Sequence, residues 1–317
     1  TPAITLSRTG FSVSPRMATS IKGAQEYLKR FEGTREYFFT GQGEPLPAGY
    51  HLKNPAFAKT LEIIAKEGIA PFYEGVIGAE LIDALQGTSG RPALMGAQDL
   101  AEYRTVSRPP VCANYRSSTV CGMGPPSSGA LTVGQILRLV ERFDIQSLGS
   151  SAEGMHLILE ASRLAFADRA RGYADPAYSG IDPETFVDPS YAALRAQMIK
   201  LDRAGENLTD LILYPSLGEA DAKLQDGDTT YLTVTDENGM MVSLIQSNFR
   251  GMGSGLVPDG LGFMFQDRGE LFSLDPEHPN AYAPSKRPFH TIIPAFVKKD
   301  GKPFMTLGLM GGGMQPQ

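Results

Sequence analysis

Cysteine is almost missing from this chain. Cys112 and Cys121 are its only two, too few for a disulfide scaffold or a Cys-ligated zinc module. They flank Asn114-Tyr115-Arg116-Ser117-Ser118-Thr119 and suit either a bridge across a hairpin or two ordinary thiols, so they say little about compartment. Histidine is scarce as well. His51, His156, His278 and His290 show no paired spacing, which argues against a metal centre, and no cofactor is called for. No apolar run approaches the roughly 20 residues of a membrane span. Charge blocks are also absent. The 29 basic and 35 acidic residues are interspersed, and a net charge of −6 leaves no footprint for nucleic acid or an anionic membrane surface. A small or polar neutral substrate fits this balance better.

What is present is enough apolar material for a sizeable core: 42% hydrophobic in 317 residues, near the length at which single cores begin to split. The first third reads as helical, with Met17, Ile21, Tyr27, Leu28 and Phe31 spaced along Ser14 to Phe31. A second helix starts at Asn54 and stops at Gly68, and another covers 76–85. Val111–Tyr115 and Thr119–Met123 read as a hairpin. It leads through Gly124-Pro125-Pro126-Ser127-Ser128-Gly129 into a helix over 131–143, with Ser127 or Ser128 as its N-cap. Ala152 to Arg171 is a long helix with Met155, Leu159, Leu164 and Phe166 among its apolar positions, stopped by Asp175-Pro176. Near its end, Asp168-Arg169 reads as an intrahelical or core ion pair. Residues 181–225 read as an exposed connector with a short helix over 191–199, and strands over 292–298 and 304–310 close the chain. Helices first and strands last make an α+β pattern rather than a βαβ alternation.

The most informative stretch is Gln225-Asp226-Gly227-Asp228-Thr229-Thr230-Tyr231-Leu232, where a polar segment meets a β-branched run. With Asp236-Glu237-Asn238-Gly239 as the turn and Met240 to Ile245 as the return, Thr229 sits at the mouth of a hairpin. Threonine is at home in any strand. At a strand mouth behind an exposed connector, it also suits a chemistry in which the preceding peptide bond is cut, and the new terminal residue supplies both hydroxyl nucleophile and amine base.

In chain order, Pro125-Pro126-Ser127-Ser128-Gly129, Ala165-Phe166-Ala167-Asp168-Arg169, Thr229-Thr230, Gly253-Ser254-Gly255, Lys286-Arg287-Pro288 and Gly311-Gly312 together resemble the γ-glutamyltransferase family of N-terminal-nucleophile hydrolases, over nearly the whole sequence. The resemblance implies a four-layer αββα sandwich, made as one precursor and cut between Asp228 and Thr229. Residues 1–228 would then be part of a large subunit and 229–317 part of a small one, in one intertwined domain. Both ends read as cut from a longer chain, since Thr1 is not an initiating methionine and Met310 to Gln317 directly follow a strand.

The resemblance further implies attack by Thr229 on the γ-glutamyl amide of glutathione or a related compound, with Gly311 and Gly312 N–H groups holding the oxyanion and water or an amino acid as acceptor. Ser247, Asn248, Glu270, His290 and Thr291 are the candidate substrate contacts. Three departures stand out. Leu271 occupies the family's acidic position before the Phe of Phe272-Ser273, with Glu270 one step earlier; His290 and Thr291 replace paired serines; and Leu274 to Ser285 is short for the family's lid. Leu271 leaves room for a relative of the same scaffold with another acyl preference, such as a glutaryl-cephalosporin acylase or a poly-γ-glutamate-processing enzyme. A non-catalytic, unprocessed scaffold is the third reading.

Overall fold

A computed structural model of the protein describes residues 1–88, 92–207 and 227–316. The chain divides into two compact units, Thr1–Val106 with Gly251–Asp267, and Ser107–Arg250 with Arg268–Gln317. The 228/229 boundary coincides with neither. Among the described residues no helix is long and apolar enough to cross a membrane.

In the first unit two helices begin alike, with proline at the first turn and a side-chain cap before it. Ser14 Oγ accepts from Met17 N at 3.1 Å ahead of Pro15–Leu28, and Asn54 Oδ1 accepts from Phe57 N at 2.9 Å ahead of Pro55–Glu67. Ile21, Ala24 and Leu28 form the buried face of the first and pack with Val13, Phe39 and Leu46. The single helix expected over 14–31 instead ends at Leu28. Phe31 turns extended and opens a second helix, Glu32–Phe38, whose Arg35 donates back to the Lys29 carbonyl at 2.8 Å. The returning segment 251–267 is gripped through its backbone: Thr34 Oγ1 donates to Gly255 O at 2.6 Å, Thr60 Oγ1 to Leu261 O at 2.9 Å and Asn54 Nδ2 to Gly262 O at 2.6 Å. Gly262 has φ +72 and lies so close to the second helix that an added Cβ would sit 2.4 Å from Phe57 N.

The second unit carries a four-stranded antiparallel sheet in the order Pro110–Tyr115, Ser118–Met123, Ala295–Lys299, Lys302–Leu307, and a separate hairpin, Gly227–Thr235 with Met241–Arg250. Cys112 and Cys121 are directly opposed across the first hairpin and form a disulfide. Helix Gly129–Val140 lies on this hairpin at a glycine: a Cβ on Gly134 would stand 2.7 Å from that of Ala113. Of the two serines before this helix, Ser128, in αR geometry and wholly buried, makes no side-chain cap bond; Ser127 Oγ accepts from Gly129 N, the first N–H of the helix, at 3.4 Å and donates to Ile292 O at 2.6 Å.

The long helix, Ala152–Gly172, buries Leu157, Ala161, Leu164 and Ala165 but leaves Met155 and Leu159 about half exposed. Of the apolar positions named from the sequence, Leu164 thus lies on the packed face and Met155 and Leu159 on the outer one. The helix ends at Gly172, and Asp175 serves as N-cap of the short helix Pro176–Ser179 rather than as its stop. Asp168 and Arg195 are both fully buried and pair at 3.0 Å, with Tyr191 Oη donating to Asp168 at 2.9 Å and Gln135 donating to the same oxygen. Burial pushes the Asp168 carboxyl up, and Arg195 and these hydrogen bonds pull against it. Asp168 thus pairs with Arg195 in helix Pro189–Ala196, not with its neighbour Arg169. Phe186, Tyr191 and Arg195 are buried, so this part of the expected connector belongs to the core; residues 208–226 lie outside the described ones.

Candidate active site

The strand that carries Thr229 is irregular where it matters. Asp228 pairs with Phe249 and Thr230 with Gln246, so Ser247 and Asn248 together oppose Thr229 in a bulge. Thr229 is 4% exposed. The bulge is held by Ser247, whose Oγ accepts from Phe249 N at 2.8 Å, and Phe249 takes φ +77, a conformation rare for an aromatic residue. The Asp228 backbone is in the ladder, and its side chain lies outside the described residues.

Two contacts join the strand that carries Thr229 to the last strand and the segment after it. Thr233 Oγ1 bonds Thr306 Oγ1, and Gly308 lies on the Tyr231 ring so closely that a Cβ would come within 2.5 Å. Two residues forward on one segment match two residues back on the other, as in an antiparallel pair. Strand Gly227–Thr235, which carries Thr229, also touches the turn that begins at Gly312, next to Gly311. Those glycines have φ +149 and +53 and lead into a 3₁₀ turn, Gly312–Met314, closed by Met314 N donating to Gly311 O at 3.1 Å. The first N–H groups of such a turn have no acceptor within it.

Side chains from elsewhere brace this loop. Arg169 Nη1 donates to Gly313 O at 2.6 Å. The Gln315 amide, oriented to donate, reaches Leu309 O at 3.1 Å and Thr291 O at 2.9 Å.

Of the expected substrate contacts, Ser247 is half-buried and Asn248 exposed in the bulge. Glu270 forms an ion pair with Arg250, whose backbone pairs with Gly227, so its carboxylate lies near the strand mouth. Leu271 instead packs against the cluster of Val111, Leu131 and Phe289. His290 and Thr291 zip to the double-serine segment: His290 N donates to Pro126 O at 2.9 Å and Ser128 N to His290 O at 3.0 Å. Thr291 is 1% exposed, and its Oγ1 accepts from Arg268 at 3.5 Å. The loop after Phe272 is folded on itself by Ser273 N to Asn280 O at 2.9 Å and Tyr282 N to Ser273 O at 3.0 Å. His156 bonds the Lys200 carbonyl at 2.7 Å, a structural role.

Comparison with known proteins identifies the family. The sequence model of the family Gamma-glutamyltranspeptidase matches residues 1–317. The chain belongs to the gamma-glutamyltranspeptidase family. It is 32% identical to the glutathione hydrolase proenzyme of Escherichia coli strain K12 over 98% of this chain and 54% of that protein. It is 34% identical to the acylase ACY 1 proenzyme of Pseudomonas sp. strain SE83, over 98% and 53%. The crystal structure of cephalosporin acylase from Bacillus halodurans superposes with a TM-score of 0.84 at 31% identity, over 99% of this chain and 56% of that one. The chain spans about half the length of the curated relatives it matches.

In this gamma-glutamyltranspeptidase-family chain, His290 carries a consequence for pH. Burial, then the Arg268 and Arg108 charges, lower its pKa from 6.5 to about 3. Between those values the unfolded chain takes up a proton that the folded one refuses, so this contribution to stability is complete above pH 6.5 and is lost as pH falls toward 3. At pH 5 the loss is about 2 kcal/mol at 1.36 kcal/mol per unit. His290→Gln is therefore expected to lose less thermal stability than the parent between pH 7.5 and pH 5. An equal fall in the two melting temperatures would count against a neutral His290.

Proposed function

We propose that this protein is an autoprocessing amide hydrolase and acyltransferase on the four-layer αββα scaffold, cleaving γ-glutamyl amides of the glutathione type. The observation that carries it is Thr229, buried in a bulge at a strand mouth, on a strand that packs against the turn beginning at Gly312. Thr229 Oγ attacks the Asp228 carbonyl and the C–N bond breaks, so the peptide becomes an ester and the Thr229 amine is freed; water then cleaves the ester, releasing Asp228 as a carboxylate and restoring the Thr229 hydroxyl. That amine, with an ordinary pKa of about 7.7–8.0, takes the hydroxyl proton in the next reaction. The hydroxyl then attacks the γ-glutamyl carbonyl, Gly311 and Gly312 N–H groups hold the oxyanion, and the amine product leaves with the proton. Water or an amino acid takes the acyl group from the Thr229 ester. Ser247 and Asn248 border the nucleophile, and Glu270, His290 and Thr291 form the side that receives the glutamyl head group.

A second reading, a different acyl group without the α-amine, is favoured by Leu271 facing the core, by Glu270 already engaged with Arg250, and by the acylase relatives. The two are separated by γ-glutamyl and glutaryl anilides, which differ only in that amine. The γ-glutamyl reading expects a kcat/KM advantage of about tenfold or more for the amine-bearing anilide, the scale of one charged hydrogen bond. A preference for the glutaryl compound moves the assignment to the acylase reading. Neither cleavage before Thr229 by intact mass nor turnover of either anilide would leave the unprocessed scaffold.

A further inference from the structure

Arg169 has no task in the chemistry described so far. The residue before it, Asp168, gives its carboxylate to Arg195, Gln135 and Tyr191, yet the Arg169 guanidinium is buried in its own right, only 8% exposed. Burial lowers its pKa to about 10. A cation taken from water at that cost needs compensation. Here it comes from the face of Phe166, 4.0 Å from the guanidinium carbon, from Phe289 at 5.8 Å, and from the Gly313 carbonyl at 2.6 Å. That bond ties the rigid long helix to the residue that follows Gly311 and Gly312. Three successive glycines have more conformational freedom to lose than any other tripeptide, so a loop made of them needs an outside hold to stay in one conformation. Gln315 grips Leu309 and Thr291 on either side of the loop; Arg169 grips the glycine triplet itself.

We propose that Arg169 is a positioning residue for the Thr229 reaction: it fixes the Gly311–Gly313 backbone so that the Gly311 and Gly312 N–H groups meet the oxyanion, and it therefore governs turnover rather than substrate affinity. The inference rests on these glycines being the oxyanion donors.

The test is kinetic, on the full chain after processing, with active sites counted by the acylation burst on an anilide. Arg169→Met keeps an apolar stem between the two rings but cannot donate, and Arg169→Lys keeps a charge and a donor. The expected result is a kcat per active site lowered about 10- to 100-fold in the Met variant, the scale of a misplaced reacting group, with KM within about threefold of the parent, and a smaller kcat loss with Lys. A merely structural role would lower the melting temperature and the count of active sites while leaving kcat per site unchanged. That result, or a loss confined to KM, overturns the proposal. Should the Met variant fail to accumulate, Lys decides: a lowered kcat at unchanged KM supports the proposal and an unchanged kcat overturns it. Thr229→Ala, run alongside, separates the two readings, because turnover persisting there overturns the site assignment whatever Arg169 does.

Discussion

Thr229→Ala is expected to remain a single uncut chain and to lose anilide hydrolysis by on the order of 10⁴-fold or more, the scale of losing a nucleophile. One atom accounts for both losses. Without Oγ there is no attack on the Asp228 carbonyl, so the precursor keeps its mass; without the cut there is no free amine to act as base, so a second requirement fails with the first. Thr229→Ser separates oxygen from shape. It keeps the hydroxyl but loses the methyl that restricts χ1 in a β-branched residue, so cleavage and turnover should persist at a rate lowered about tenfold. Intact mass and the anilide assay read both outcomes. A Thr229→Ala chain found cut before residue 229 would remove Thr229 from the processing step.

The largest effect on stability is expected at Arg195. Arg195→Ala leaves the Asp168 carboxylate fully buried without its cation, a loss of about 3–5 kcal/mol. For a unit of this size that is a fall of roughly 6–20 °C in melting temperature, at about 2–4 °C per kcal/mol. Because the damage is an uncompensated charge, Arg195→Ala with Asp168→Ala should be less destabilised than the sum of the single variants. Melting temperatures of the four proteins close the cycle, and strict additivity would mean that the two side chains are not energetically coupled.

Local rules made much of this legible in the sequence. Local turn and β-branched signals marked the first hairpin to within a residue, while the return strand of the second runs to Arg250, five residues beyond the expected Ile245; Thr229 stood out because a polar segment meets a β-branched run there. Where the expectation missed, a partner distant in sequence had intervened. Ser128 satisfies a capping rule on paper, but its backbone is held to His290 and its side chain makes no cap bond. Asp168 and Arg169 look like a pair because they are adjacent, yet successive residues on a helix point about 100° apart, so one meets Arg195 and the other Gly313. Arg169 was in plain view within Ala165-Phe166-Ala167-Asp168-Arg169, and only the fold shows which backbone it holds. Leu271 and Glu270 divide likewise, one turned to the core and one to Arg250.

Each compact unit is assembled from chain on both sides of residue 228. Ala295–Lys299 is laddered to Ser118–Met123, and Gly255, Leu261 and Gly262 are clasped by Thr34, Thr60 and Asn54. A cut before Thr229 would therefore give two bands on a denaturing gel and one particle on gel filtration. Pieces synthesised apart would each lack strands and clasps that the other supplies, so mixing them should not restore the particle. On this expectation, covalent continuity matters while each unit is being assembled and not afterwards.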